Sequence, residues 1–460
     1  MSATDIISQQ SDLQGLPPHV FSWQSAVSNA ADIREPADAA DRYTTSVARD
    51  IEAVKQLRKF WISWSSNLET DLEYFLHCLE SGATTDQPCV IAVFHHGEAQ
   101  TILVGRIRRK RMSDMVSYVR VPGPKVRVLE IVGRLGRVSS AIDRVLAGAL
   151  LQLEDEGEAD MVCFPRLSLR SDLYREVEQS NGVRRKTRVP HVFPYSLLPL
   201  QGSAGRNPAA FRGKQSHEIR RKTRILQRAF PNQIRLECYS SPIDLGFAID
   251  AVASIASTSW QHHLRSGFSR TREVEQRLRF CADKGWLRIY VMYVRNVPCA
   301  FLLGQLYQGT FHCQHAGFDP KVERFSVGSI LTSWAFRHLS AKGAKQIDLG
   351  EGDQEHNRRL GCEPRSEATV HLYARTRRGS WAKLFFGATQ RVRTSGRTTV
   401  TELRLDRVLM FWRQSLISWR RYRSASSLSS RPHGGLLENV SSEVIPDDAV
   451  TPRPWSLVGH

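Results

Sequence analysis

The sequence has no Cys-x-x-Cys pair, no cysteine and histidine cluster at zinc-ligand spacing, and no run of 18 apolar residues. Its eight cysteines (Cys78, Cys89, Cys163, Cys238, Cys281, Cys299, Cys313 and Cys362) are scattered. That excludes a disulfide framework and a zinc ribbon, and it predicts reduced thiols in a cytoplasmic protein without a metal cofactor. The missing apolar run excludes a membrane-spanning helix. The first residues, MSATDIISQQSDLQ, lack a basic stretch followed by an apolar one, so no secretory leader is expected. Compact DNA-binding motifs are missing, and His95-His96 stand in a predicted turn where no metal site is expected. Acidic residues are scarce: 46 Asp plus Glu against 64 Lys plus Arg leave +18 over 460 residues. Such a surface attracts polyanions, among them an anionic membrane face, an anionic polysaccharide, nucleic acid or a phosphorylated cofactor.

What is present suffices for real cores, with 41% apolar and 9% aromatic residues. The length exceeds what one core organises, so two domains plus tails are expected. Residues 1–50 are polar and read as a lead-in, with a helix around Ile51 to Leu57. Cys89 to Phe94 and Ala99 to Ile107 form a predicted hairpin about His95-His96-Gly97-Glu98. Val126 to Val132 is a further strand, ending in the glycine-punctuated Gly133 to Arg137. Ser139 or Ser140 then caps a helix carrying Ile142, Val145, Leu146, Leu150 and Leu153, and Met161 to Phe164 is a short strand.

The second half runs in the same order. Leu287 to Val294, Cys299 to Leu306 and Phe311 to Ala316 are predicted strands. Ser326-Val327-Gly328-Ser329 opens a helix that stops at Lys342-Gly343, and Ile347 to Leu349 is a strand. The order strand, turn, strand, strand, glycine turn, helix, strand therefore occurs twice, about 190 residues apart, as an architectural repeat. Between the halves lie the apolar, proline-punctuated Pro190 to Pro199 and a basic helix, Ser216 to Arg228. Thr399 to Arg423 reads as a basic amphipathic helix bearing Trp412 and Trp419. Their expected fate is packing on the second lobe, with docking on an anionic membrane as the alternative.

The chemistry concentrates at the second glycine turn. Gly328 allows close backbone approach, Ser329 adds a hydroxyl, and free N–H groups at a helix start favour an anion such as a pyrophosphate. Upstream stands His315-Ala316-Gly317-Phe318-Asp319-Pro320, and downstream Asp348-Leu349-Gly350-Glu351-Gly352-Asp353 leads to His356-Asn357-Arg358-Arg359-Leu360-Gly361. Here the chain resembles the tandem-GNAT, Fem-like acetyltransferases of the cellulose and exopolysaccharide biosynthesis type, over about residues 216 to 375 and more weakly through the first half. Two positions depart from that family's pattern. Val327 stands where a proline is usual, and His356-Asn357 where an aromatic-Lys pair is expected.

The resemblance implies an α+β fold of two tandem GNAT-like lobes, each a mixed β-sheet flanked by helices, with a C-terminal basic helix and a disordered tail. Its expected bounds are 51–200 for a structural first lobe and 201–385 for a catalytic second lobe. A helical extension at 386–423 and a tail at 424–460 follow. It also implies an acyl-CoA, acetyl-CoA by default, held at Ser326, Val327, Gly328, Ser329, Ile330 and, along a strand edge, Leu303. Attack on its thioester by an amine needs positioning, a base and oxyanion donors. Glu351, Asp353 and His315 are candidate bases. Arg220, Arg221, Asp348 and Asn357 are candidate acceptor contacts. Gly133 to Arg137 of the first lobe mimics a second cofactor turn and is read as structural.

Three functions compete: an N-acyltransferase acting on a small-molecule or glycan-precursor amine, an aminoacyl transferase using charged tRNA, and a scaffold that binds anionic polymer. The family-like second half favours the first, in the cytoplasm or peripheral to the inner membrane.

Overall fold

The computed structural model describes residues 43–65, 67–81, 86–116, 119–180, 191–200, 213–258, 267–350, 357, 360 and 362–402. The expected lead-in before Tyr43, the base candidates Glu351 and Asp353, and Trp412, Trp419 and the tail lie outside these residues.

Tyr43–Ala48 forms β1, an edge strand inside the stretch read from sequence as lead-in. Asp50 then caps helix α1 (Ile51–Gln56) by accepting the Ala53 amide. Helices α2 (Arg58–Trp64) and α3 (Leu72–Ser81) follow. The short β2 (Gln87–Pro88) precedes the hairpin of β3 (Val90–His95) and β4 (Glu98–Val116). It turns at His96 and Gly97, whose φ of 51° and 81° place both in the left-handed region. β5 (Val119–Gly136) runs back along β4, and α4 (Ser140–Asp155) returns the chain to β6 (Met161–Leu167), parallel to β5. The glycine-punctuated Gly133 to Gly136 is thus strand, and the turn begins only at Arg137. Helix α5 (Asp172–Ser180) and β7 (His191–Pro199) complete this half.

The second half opens with α6 (Gly213–Ala229), β8 (Ile234–Tyr239), α7 (Leu245–Thr258) and α8 (Arg272–Asp283). It continues through β9 (Leu287–Val294), β10 (Val297–Tyr307) and β11 (Thr310–Phe318). β9 and β10 are buried along nearly their whole length and read as continuous apolar runs, as strands covered on both faces do. Helix α9 (Val327–Ala341) crosses back to β12 (Gln346–Gly350), parallel to β11. β13 (Glu363–Tyr373) and α10 (Arg377–Glu402) end the described chain.

The strand order is β1-β3-β4-β5-β6-β13-β7-β12-β11-β10-β9-β8. Each half contributes an antiparallel set closed by one parallel neighbour, but the strands after the parallel ones change places. β7 follows the first half in sequence yet pairs with β12 of the second, whereas β13 follows the second half and pairs with β6 of the first. The two exchanged strands also pair with each other, from Glu363 opposite Leu197 to Thr369 opposite His191. His191–Pro199, within the stretch read from sequence as a connection, is therefore the strand that joins the lobes.

Side chains reinforce the joint. The Tyr307 hydroxyl donates to Asp71 at 2.9 Å. His77 on α3 stacks on Phe280 of α8, ring centroids 4.3 Å apart. Leu68 and Tyr74 of the first half pack in the apolar cluster of α7, α8 and β9. With each half completing the other's sheet, unfolding is expected to give a single calorimetric transition. Leu372→Ala, at a fully buried site of β13 against the first-lobe core, should lower the stability of that one transition by about 3 kcal/mol. Two separable transitions, with only one shifted, would contradict the exchanged architecture.

Candidate active site

The parallel pair β11 and β12 is matched at three positions only: Thr310 with Gln346, Phe311 with Ile347 and His312 with Asp348. Beyond His312 and Asp348 the strands part, and β12 turns to β7 while Cys313 to Phe318 keeps only β10. A fork opens there. Just past its origin β11 carries a bulge, because Leu303 faces His315 while Gly304 faces Cys313, leaving Gln314 as the extra residue. Gly304 is required for it: a Cβ there would stand 2.2 Å from the His312 carbonyl oxygen.

At the origin of the fork lies a cavity of about 480 Å³, lined among others by Arg106, Glu130, Arg166, Tyr195, Arg277, His312, Cys313, Gln314 and Asp348. Both halves and the exchanged β7 contribute. Asp348 is its electrostatic centre. Its Oδ2 accepts from the Tyr195 hydroxyl and from His312 Nδ1 at 3.1 Å, and its Oδ1 accepts the Gly350 amide at 2.9 Å. Arg166 in turn donates to the Tyr195 oxygen and stands 3.9 Å from both Asp348 and Glu367. Burial pushes the Asp348 carboxyl up, but the hydrogen bond and charge of His312, then Arg166 and Tyr195, outweigh it and hold the group below its ordinary value. Burial raises the Tyr195 phenol, which stays a neutral donor.

A carboxylate can only accept, so Nδ1 of His312 carries the proton in this pair and neutral His312 presents Nε2 as an acceptor. That nitrogen is shielded from water and has no hydrogen-bond partner among the described residues. An imidazole oriented by a carboxylate, with its second nitrogen free beside a cavity, is equipped as a general base.

His315, the base candidate read from sequence, lies three residues along β11, edge-on to Phe268 at 5.8 Å. Burial, then the charge of Arg277, lowers its pKa, so it is neutral near pH 7. It does not line the cavity.

The other end of the fork meets helix α9. Ser326 sits in the left-handed region (φ 57°) and makes no side-chain cap, and the first intrahelical bond is Ile330 N–H to the Ser326 carbonyl at 3.1 Å. The N–H groups of Val327, Gly328 and Ser329 therefore have no acceptor within the helix. Gly328 lies against Phe318 at the end of β11, where a Cβ would meet the ring at 3.3 Å. From His312 to Phe318 the strand spans roughly 20 Å. The first half shows the contrasting case. There Ser139 caps α4 by accepting the Ile142 amide at 3.3 Å, and buried Arg134 pairs with buried Asp143 while donating to Thr101 at 3.0 Å and to the Arg137 carbonyl at 2.9 Å. The sequence-read cofactor turn of the first lobe is filled by its own side chains.

The remaining candidates read from the sequence separate. Leu303 is 1% exposed and packs in the core between Ile289 and His315, because β10 is covered by strands on both sides. The edge facing the fork is β11, one strand over. Val327 and Ile330 are buried in the second-lobe core, and only Ser326, Gly328 and Ser329 of that turn face outward. Arg220 and Arg221 lie on exposed faces of α6, Arg221 paired with Glu218 at 2.7 Å, and neither lines the cavity. That helix packs beside the 320–325 turn, Lys222 Nζ reaching the Arg324 carbonyl at 3.5 Å, so its charge stands toward the α9 end. Asn357 is buried, accepts the Cys362 amide through its carbonyl at 3.1 Å, and lies away from the cavity. Of the candidates among the described residues, Asp348 alone lines the cavity. Sequence reasoning missed His312, Tyr195 and Arg166, which only strand register brings to Asp348.

Against known proteins, residues 213–358 match the family described as acetyltransferase (GNAT) domain. That match falls within the second lobe, and it supports an acyltransferase. No curated protein matches the chain. Among solved structures, FemX is similar at 9% identity and a TM-score of 0.47, over 72% of this chain and 97% of that one. The C-terminal domain of a putative lysylphosphatidylglycerol synthetase from Agrobacterium fabrum aligns at 11% identity and 0.42, over 72% and 95%. A tandem GNAT protein from the clavulanic acid biosynthesis pathway aligns at 11% and 0.41, over 73% and 99%. These likenesses are too distant to speak for donor or acceptor.

Two outcomes test the site. Because Asp348 titrates lower when folded than its unfolded value near 3.9, it stabilises the protein above that pH, and the contribution is lost as pH falls through the folded value. Asp348→Asn should melt below wild type at pH 7, the gap closing below about pH 4. Gly304→Ala should cost about 2–3 kcal/mol in denaturant unfolding by displacing the His312 carbonyl.

Proposed function

We propose that the protein transfers the acyl group of an acyl-CoA, acetyl-CoA by default, to an amine of a small-molecule or glycan-precursor acceptor. The observation that carries this reading is the fork. It places an oriented imidazole at its origin and an uncapped helix start at its far end, joined by a strand edge with unpaired backbone groups. A thioester on a long arm that ends in phosphates fits such a cleft. Phosphates meet the N–H groups of residues 327–329 and the basic face of α6, and the arm pairs with the edge of Cys313 to Phe318. Acyl-CoA supplies a carbonyl activated by its thiol leaving group.

His312 Nε2 takes the proton of the acceptor amine as the nitrogen attacks that carbonyl. Asp348 holds the imidazole tautomer and stabilises the imidazolium that forms, and Tyr195 and Arg166 hold Asp348. The backbone N–H at the Gln314 bulge, where the regular ladder is interrupted, is the candidate donor to the oxyanion. The carbon–sulfur bond then breaks, the amide remains on the acceptor, and the thiolate leaves and is protonated by solvent. The first lobe, its turn closed by Arg134 and Asp143, contributes acceptor-facing walls through Arg106 and Glu130. A role in polysaccharide biosynthesis rests on the family resemblance of residues 216 to 375.

Saturable acetyl-CoA binding by calorimetry, abolished in Gly328→Trp, is the expected result. With an amine panel, His312→Gln should lower kcat by about 10² to 10⁴ with little change in acetyl-CoA affinity. No CoA binding by the wild type, or amino-acid transfer from charged tRNA without CoA, would overturn the proposal.

A further inference from the structure

The charge left over by the active site gathers on the β4–β5 hairpin. Arg109 stands directly opposite Arg127, and Arg111 directly opposite Lys125. Two successive like-charged cross-strand pairs on one face oppose folding. Among these four, only Arg127 has a carboxylate partner among the described residues, the buried Asp160 at 3.5 Å. With Lys110 and Arg378 they line a groove of about 430 Å³ in which Val126 is the only other lining residue among those described. An external anion bound across these pairs would relieve that repulsion.

Helix α10 packs beside this groove. Its inner face, Ala382, Phe386 and Thr389, is buried on the hairpin, with Phe386 in the cluster of Met112 and Val126, and with the Thr389 hydroxyl donating to Asp114 at 2.6 Å. The outer face is apolar but uncovered. Trp381 is 65% exposed, Leu384 63% and Val392 57%, with Ala388 between them also exposed. At about 100° per residue these four and the exposed Arg377 and Arg378 fall within an arc of roughly 120°. One surface thus presents a tryptophan, two aliphatic side chains and a rim of cations.

We infer that this surface, the outer face of α10 together with the basic groove of the β4–β5 hairpin, docks the protein on an anionic phospholipid membrane. Two needs decide the partner. The Trp381, Leu384 and Val392 stripe gains by leaving water, and the cations gain by meeting closely spaced anions. Headgroup phosphates above an acyl layer satisfy both at once, with tryptophan at its preferred interfacial depth. A nucleic-acid backbone satisfies the cations alone, and an apolar protein groove the stripe alone. The sequence offers membrane docking only as the alternative fate of Trp412 and Trp419, which lie outside the described residues; the surface proposed here lies earlier, on α10.

The test is sedimentation of the full chain with vesicles of phosphatidylcholine alone or mixed with phosphatidylglycerol. Binding is expected only to the anionic vesicles and should weaken as salt is raised to about 0.5 M. The surface variants Trp381→Ser with Leu384→Ser, and Arg109→Glu with Arg111→Glu, should each weaken it at least about tenfold, while circular dichroism melts stay at the wild-type midpoint for the first and at or above it for the second, whose cross-strand repulsion is removed. Absence of binding to anionic vesicles, or binding that both variants leave unchanged, overturns the inference. So does concentration-dependent self-association in ultracentrifugation that the Trp381 and Leu384 changes abolish without altering vesicle binding, or binding to single-stranded RNA in place of vesicles.

Discussion

The pairing of β7 with β13 is the constraint on which the molecule depends. Each strand completes the sheet of the half it does not follow in sequence, so neither half closes its own β-layer. Tyr195 lies on β7, Glu367 on β13 and Arg166 on the neighbouring β6. The exchanged pair therefore also assembles the charged network that fixes Asp348. A buried carboxylate, phenol and guanidinium offset their desolvation only when each is satisfied, and here each one satisfies the next. Loosening the strand exchange would cost the imidazole its orientation as well as the sheet its continuity.

The two lobes show how one architecture serves different ends. Both carry the bulge after the parallel pair, at Val132 opposite Val104 and Gly105 and at Gln314 opposite Leu303 and Gly304. In register terms Glu130 stands where the second lobe has His312, and Cys163 where it has Asp348. The scaffold is repeated and the candidate proton-handling pair is not.

Much of the fold was legible from local pattern. Leu287 to Val294 is the same strand in sequence and structure, Ser139 is the cap, and Gly343, at φ 84°, stops α9 as its position predicted. These features depend on neighbours in sequence. The exchange of β7 and β13 depends on partners about 150 to 210 residues away, and a run such as His191 to Pro199 looks alike in either sheet. The same limit hid the site. Asp348 was found because it stands in a recognisable acidic segment, but His312 matters only through the register of β11 on β12. Leu303 failed because the sequence does not say which of two adjacent strands is the free edge. Gly133 to Gly136 looked like a turn because glycine marks turns and bulges alike.

Ser326 and Ser139 occupy the same station in the two lobes, and only one hydroxyl satisfies its own helix. The difference leaves one helix start closed by its own serine and the other with amide donors that its serine does not meet. Under the proposed function, anion binding depends on what a single serine does not contact, so giving the first lobe a second binding turn would require removing contacts and not adding them.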